Sequence, residues 1–403
     1  MKSLINFGRN DDNFWKNFGY NYAGILYLGF LNWLKDRLIE SNISEVYFLA
    51  RDGWIMKKTF DIMFPNSSSN IHTHYLYSSR RMFNIASLDI LTNDDINFFL
   101  SGSTILTVKE YLNRIGLTFD RARDVIKAFG LNGDEFVDTE LKKEQIKEIF
   151  FDLEEPILEN AKLEKENLIK YLIINHVFDF NNIALVDIGW FGSMQYSLNK
   201  ILRNNKSSTQ LKGFYLGTFV SETTHELNME AFLFHKQKPI EYFELVYKCV
   251  EIFELLFSSS EPSVLSVEVD NSNVIMKFNV NDNNIDKITI LNDTHNSALN
   301  FIKDNRLFYS GSNAKIANYY KDRIYETFHR LLFEPTFEEV VKIGNINHAE
   351  GFGQGTKLRP IVIMKPIEEY YSDLTKVVND YKNSFWRTGF TKYLYYEQRN
   401  RKR

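Results

Sequence analysis

The stretch Glu45-Val-Tyr-Phe-Leu-Ala50-Arg-Asp-Gly53 decides how this chain is read. Val46 to Ala50 form an unbroken apolar run rich in strand formers, closed by Arg51-Asp52-Gly53. That is the form of a parallel strand buried on both faces and ending in a turn. Upstream, Phe14, Phe18, Tyr22, Ile25, Leu26, Phe30, Trp33, Leu34 and Leu38 fall at helical spacing and predict one or two helices over residues 13–41. Downstream, Trp54 to Met63 returns to helical spacing.

The unit recurs. His72 to Tyr77 predicts a second strand ending at Ser78-Ser79-Arg80-Arg81. Ile183 to Val186 predicts a third, ending at Asp187-Ile-Gly-Trp-Phe-Gly-Ser193 and followed by a helix from Met194 to Leu202; Lys212 to Gly217 predicts a fourth. Strand, turn and helix in repetition predict an α/β fold, a Rossmann-like doubly wound parallel sheet. Residues 1–82 and 183–262 make its core. Residues 83–182, with apolar positions at helical periods and almost no strand signal, read as a helical cap inserted into it. Residues 263–403 read as a mostly helical C-terminal part, with a hairpin where Val264–Val269 and Val274–Phe278 flank Asp270-Asn-Ser-Asn273.

Composition bounds the function. Of 403 residues, 44% are hydrophobic and 25% charged, which describes a chain that folds. A net charge of −4 offers no global attraction to nucleic acid and at most a peripheral contact with membrane, through the basic tail Arg399–Arg403. Cys249 is the only cysteine, which excludes an intramolecular disulfide and a cysteine-based zinc site; its helical surroundings suit a buried structural thiol. The N-terminal residues lack the pattern of a signal peptide, and the apolar run Tyr22–Leu34 is too short to span a bilayer. The expectation is a soluble, cytoplasmic protein.

Ligands of open α/β sheets bind outside the carboxyl ends of the strands. The strand ends here supply Arg51, Asp52 and Gly53; Ser78, Ser79, Arg80 and Arg81; and Asp187, Gly189, Trp190, Gly192, Ser193 and Gln195. Two carboxylates suit a divalent cation with oxygen ligands, so Asp52 and Asp187 are the candidate Mg2+ ligands and the candidate catalytic residues. The arginines suit phosphate, as does the Gly189–Ser193 turn before a helix, although that turn lacks the P-loop lysine. Lys357 and Arg359, in the glycine-containing stretch Gly351–Pro360, are further candidates for an anionic ligand. The alternatives are plain: Asp52 as a helix cap, Trp190 as packing, and one of the two adjacent arginines as a surface residue. His72 and His74 share one face of a strand and support no metal site.

Val46 to Gly53 resembles the first motif of haloacid-dehalogenase-like phosphatases, with Ala50 in the place of the aspartate that becomes phosphorylated. The resemblance equates Asp52 with the acid/base residue, Ser78 or Ser79 with the second-motif hydroxyl, and Asp187 with the acidic fourth motif that holds magnesium. A wider resemblance spans residues 45–263. Phe48-Leu-Ala-Arg-Asp-Gly-Trp54, Tyr77-Ser-Ser-Arg-Arg81, Val186-Asp-Ile-Gly-Trp-Phe-Gly-Ser-Met-Gln195, Gly213-Phe-Tyr-Leu-Gly-Thr218 and Glu254-Leu-Leu-Phe-Ser258 with Pro262-Ser263 are similar to the glycan phosphoribosyltransferases of bacterial surface-polysaccharide synthesis. That resemblance implies transfer of 5-phosphoribose from phosphoribosyl pyrophosphate (PRPP) to a lipid-linked O-antigen or capsule glycan at the inner face of the cell membrane. It implies Mg2+ and a separate phosphatase that acts afterwards. The competing expectations are a phosphohydrolase of the dehalogenase-like kind and an inactive sugar-phosphate-binding subunit.

Overall fold

The structure, a computed structural model, describes residues 11–65, 70–101, 105–221, 224–271, 273–279, 285–308, 314–350 and 357–401. Its strands are β1 (Glu45–Leu49), β2 (His72–Leu76), β3 (Ile105–Thr107), β4 (Phe136–Asp138), β5 (Asn182–Trp190), β6 (Gln210–Thr218), β7 (Met229–Phe234), β8 (Val264–Asp270), β9 (Asn273–Phe278), β10 (Asn347–Glu350) and β11 (Lys357–Pro360). The fold is α/β. Five strands form the central sheet in the order β2-β1-β5-β6-β7, every neighbouring pair parallel. The chain lays β2 on one side of β1, crosses back to lay β5 on the other, and continues outward. The order therefore reverses between β1 and β5, and in doubly wound sheets such a switch point opens the ligand crevice.

Period-2 alternation places two apolar layers on this sheet. Val46, Phe48, Ala184, Val186, Phe214, Leu216 and Phe232 face one core, which they share with Leu26 and Phe30 of the N-terminal helix Gly24–Glu40. Phe301, Tyr320, Ile324 and Phe328, from the C-terminal helices Ile285–Asp304 and Ala314–Phe333, complete that core. Tyr47, Leu49, Leu76, Ile183, Leu185 and Leu211 face the opposite core, with Met82, Leu168, Leu198 and Val264. The insertion carries a third core of its own, from Ile85 to Ala161.

Some expectations hold and others are revised. Residues 13–41 fold as Phe14–Phe18, a π-helical turn Gly19–Ala23 and Gly24–Glu40. The sheet has a fifth strand, β7, in a region without clear period. Its apolar residues alternate with little polar contrast, because both faces of the strand are covered. The insertion holds a short antiparallel ribbon, β3 with β4, too brief for a periodic signal. The hairpin is β8 with β9, closed between Asp270 and Asn273 as the turn residues imply. Past it, β10 and β11 pair antiparallel, so the glycine-containing stretch joins two strands; residues 351–356 within it lie outside the described residues. Among the described residues no helix is long and apolar enough to cross a membrane.

Candidate active site

A cavity of about 420 Å³ opens at the switch point, outside the carboxyl ends of β1, β2 and β5. The local backbone explains who reaches it. After β1 the chain passes through Ala50 and Arg51, joined by a cis peptide bond, to Asp52, the N-cap position of helix Gly53–Met63. The Asp52 side chain makes no capping hydrogen bond, so the capping role does not account for it. β5 runs four residues further than its pairing with β1, which stops at Phe48 opposite Val186. Asp187 comes next. It stands on the face that Ile183 and Leu185 bury, at the point where β1 has turned away. A carboxylate replaces the next apolar residue there and remains only 7% exposed.

Beyond Asp187 the chain leaves regular geometry: Gly189, Trp190 and Gly192 all have positive φ, at 111°, 78° and 69°. A Cβ on Gly189 would lie 2.4 Å from the Gly217 carbonyl oxygen across the sheet, so only glycine allows this close pairing. Trp190 takes a left-handed conformation that few L-residues adopt, and its indole Nε1 donates to Glu254 Oε1 at 2.9 Å. Gly192 then starts helix Ser193–Asn204 without a side-chain cap, with Gly192, Ser193 and Met194 at the cavity wall. An uncapped helix start turned toward a cavity carries partial positive charge suited to an anion.

The electrostatics follow from burial among carboxylates. The Asp52 carboxyl is pushed up to about 6 by burial and the Glu254 charge, against the opposing pull of Arg51, Arg80 and Lys287. Asp187 is raised well above the carboxylate range by burial first and by the Asp52 charge next. Glu251, on the same helical turn as Glu254, is also raised, mainly by burial. The structure thus gathers Asp52, Asp187, Arg51, Ser78, Ser79, Arg80, Gly189, Trp190, Gly192 and Ser193 at one cavity.

Other candidates stand elsewhere or are occupied. Arg81 reaches the cavity wall, but its guanidinium grips Glu164 through two hydrogen bonds of 2.9 Å and also donates to the Leu265 carbonyl. It joins the long cap helix Glu154–Ile174 to β8, and its donors are committed to that joint. Ser79 caps helix Arg80–Ala86 by accepting from the Met82 amide. Gly53 packs against the Phe48 backbone, where a Cβ would meet the carbonyl carbon at 2.7 Å. Gln195 is fully buried outside the cavity; its Oε1 accepts from the Tyr215 hydroxyl at 2.8 Å, and Tyr215 lines the cavity. Arg359 lies in β11 with its guanidinium over the Phe385 ring, 4.1 Å from the centroid, and Phe385, not Arg359, lines the cavity. Lys357 begins β11, and its side chain lies outside the described residues. His72 and His74 both bond Glu45, at 2.7 and 2.8 Å, at the opposite ends of the strands.

Sequence reasoning did not single out Glu251, Lys287 or His348 at this cavity. Glu254, noted only as part of a motif, turns out to hold the site's roof, because His348 of β10 meets its second oxygen at 3.4 Å. A signal existed for the glutamates: Glu251 and Glu254 are the only charged positions of helix Val250–Phe257, three apart and therefore on one face. Lys287 and His348 arrive from distant helices and strands with no local signal.

For magnesium, the residues fit in part and by chemical type. Among the described residues no three His, Cys, Asp or Glu side chains are placed to hold a metal ion together. Asp52 and Asp187 are hard oxygen donors whose mutual repulsion a divalent cation would relieve, and Mg2+ typically takes one or two carboxylates with water and substrate oxygens. In comparisons with known proteins, no family model matches the chain and no curated protein matches it.

Proposed function

We propose that this chain is a glycan phosphoribosyltransferase that transfers 5-phosphoribose from PRPP to a bacterial surface-polysaccharide acceptor and releases pyrophosphate. One observation carries the reading. The residues that the resemblance equates with the first, second and fourth dehalogenase-like motifs, Asp52, Ser78 or Ser79, and Asp187, line a single cavity, and Ala50 lines it too where the family's nucleophile would stand. A site with the acids but without the nucleophile favours transfer to an acceptor over hydrolysis through an aspartyl-phosphate.

In this reading Asp52 takes the proton of the acceptor hydroxyl as the acceptor oxygen bonds to C1 of the ribose and the bond from C1 to the pyrophosphate oxygen breaks. Asp187, with Asp52 beside it, would hold Mg2+, which when bound neutralises charge on the departing pyrophosphate. Arg51, Arg80 and the start of helix Ser193–Asn204 offer positive charge for the phosphate groups. The product keeps its 5-phosphate, which a separate phosphatase would remove, and a lipid-linked acceptor would bring the enzyme to the inner membrane face.

The test is direct. Protein supplied with PRPP, Mg2+ and a panel of lipid-linked glycan acceptors is expected to release pyrophosphate and to add a phosphoribosyl group, seen by mass spectrometry. Both are expected to be lost in Asp52→Ala. PRPP that persists unchanged with every acceptor, or release that survives the substitution, refutes the assignment.

A further inference from the structure

We propose that a second cavity, next to the first, binds a saccharide segment of the acceptor and prefers one with acidic substituents; the inference rests on the transferase reading for the word acceptor, but not for the binding itself. This cavity has a volume of about 340 Å³ and is walled, among the described residues, by Trp15, Lys287, Ile290, Lys342, Asn345 and Asn347 with two flanking aliphatic residues.

Three observations support it. Lys287 lines both cavities, and its charge reaches Asp52; Asn347 of the second cavity immediately precedes His348 of the first. A chain bound in the second cavity therefore ends beside the proposed base. The lining is also of the right chemistry. An indole held edge-on by Phe14 and Phe18, with ring centroids at 5.0 and 5.7 Å, offers a flat apolar face of the kind that packs on the C–H face of a sugar ring. The carboxamides of Asn345 and Asn347 each supply two donors and an acceptor, the complement of neighbouring hydroxyls. Finally, the described walls hold two lysines and no acid, which suits a carboxylate or phosphate on the sugar. The sequence placed none of this together, because Trp15, Lys287 and Asn345 come from three separate helical regions.

Saturation-transfer NMR on the full chain tests the proposal, with trigalacturonate as the acidic probe and maltotriose as the neutral one. Trigalacturonate is expected to bind at least fivefold more tightly than maltotriose, and Asn345→Ala and Lys342→Ala are each expected to weaken it at least fivefold. Both side chains are exposed, so these variants are expected to keep the wild-type melting temperature and, by calorimetry, PRPP affinity within twofold. Absence of saturation transfer to either sugar, equal binding of the two, or binding unchanged in both variants overturns the proposal. Sugar binding that depends on Asn345 in a protein that never consumes PRPP supports the saccharide cavity and overturns the phosphoribosyl assignment alone.

Discussion

Asp52 and Asp187 show what burial does to a pair of acids. A carboxyl held at about 6 is ionised at neutral pH and still basic enough to accept a proton during bond formation. The kcat/KM for PRPP is expected to fall about tenfold per pH unit below about pH 6, and Asp52→Asn is expected to lower kcat by about 10²–10⁴-fold. A flat profile between pH 5 and 7 in steady-state kinetics removes Asp52 from that role. The same shifts cost stability. For an acid raised by folding, the favourable contribution is full below its unfolded pKa near 4 and is lost as the pH climbs through the folded value. Asp187→Asn is therefore expected to stabilise the protein at pH 7.5 by about 1–2 kcal/mol while abolishing transfer, with the gain shrinking toward pH 4. Thermal unfolding at the two pH values checks this, and destabilisation at pH 7.5 contradicts it.

At the level of the element, β5 matters because it outlasts β1. Its last residues stay paired with β6, Gly189 opposite Gly217 and Trp190 opposite Thr218, and the positive-φ turn then delivers helix Ser193–Asn204 to the cavity. Gly189→Ala puts a methyl against the Gly217 carbonyl in a conformation alanine resists. The expected result is a loss of at least about 1 kcal/mol, read as a lower urea midpoint at unchanged m, with weaker PRPP binding as the strand end shifts. Wild-type stability and affinity in this variant would mean that the pairing is not tight. Glycine was legible at positions 189 and 192; the reason for it at 189, a neighbour across the sheet at position 217, was not.

For the whole molecule, Arg81 is the joint between cap, sheet and hairpin. Removing one partner of its buried pair with Glu164 strands a charge, so Arg81→Ala is expected to cost about 3 kcal/mol, and Arg81→Met with Glu164→Gln is expected to recover much of that. Chemical denaturation of the three proteins measures the coupling. Retention of PRPP affinity in the double variant separates a joint from an anion ligand, whereas loss of affinity at full stability would return Arg81 to the phosphate set.

The chain alone determined the local units. Val46–Ala50, Ile183–Val186 and the Asp270–Asn273 turn announce themselves because apolar period and turn chemistry act over a few residues. Composition likewise rules out a cysteine-based zinc site, since one cysteine cannot make one. Only the tertiary structure decided that β5 lies beside β1, that Glu254 and His348 close the roof, and that Lys287 links two cavities. Such contacts join residues far apart in the chain, and their energy depends on packing and charge across space, which no local pattern of residues records.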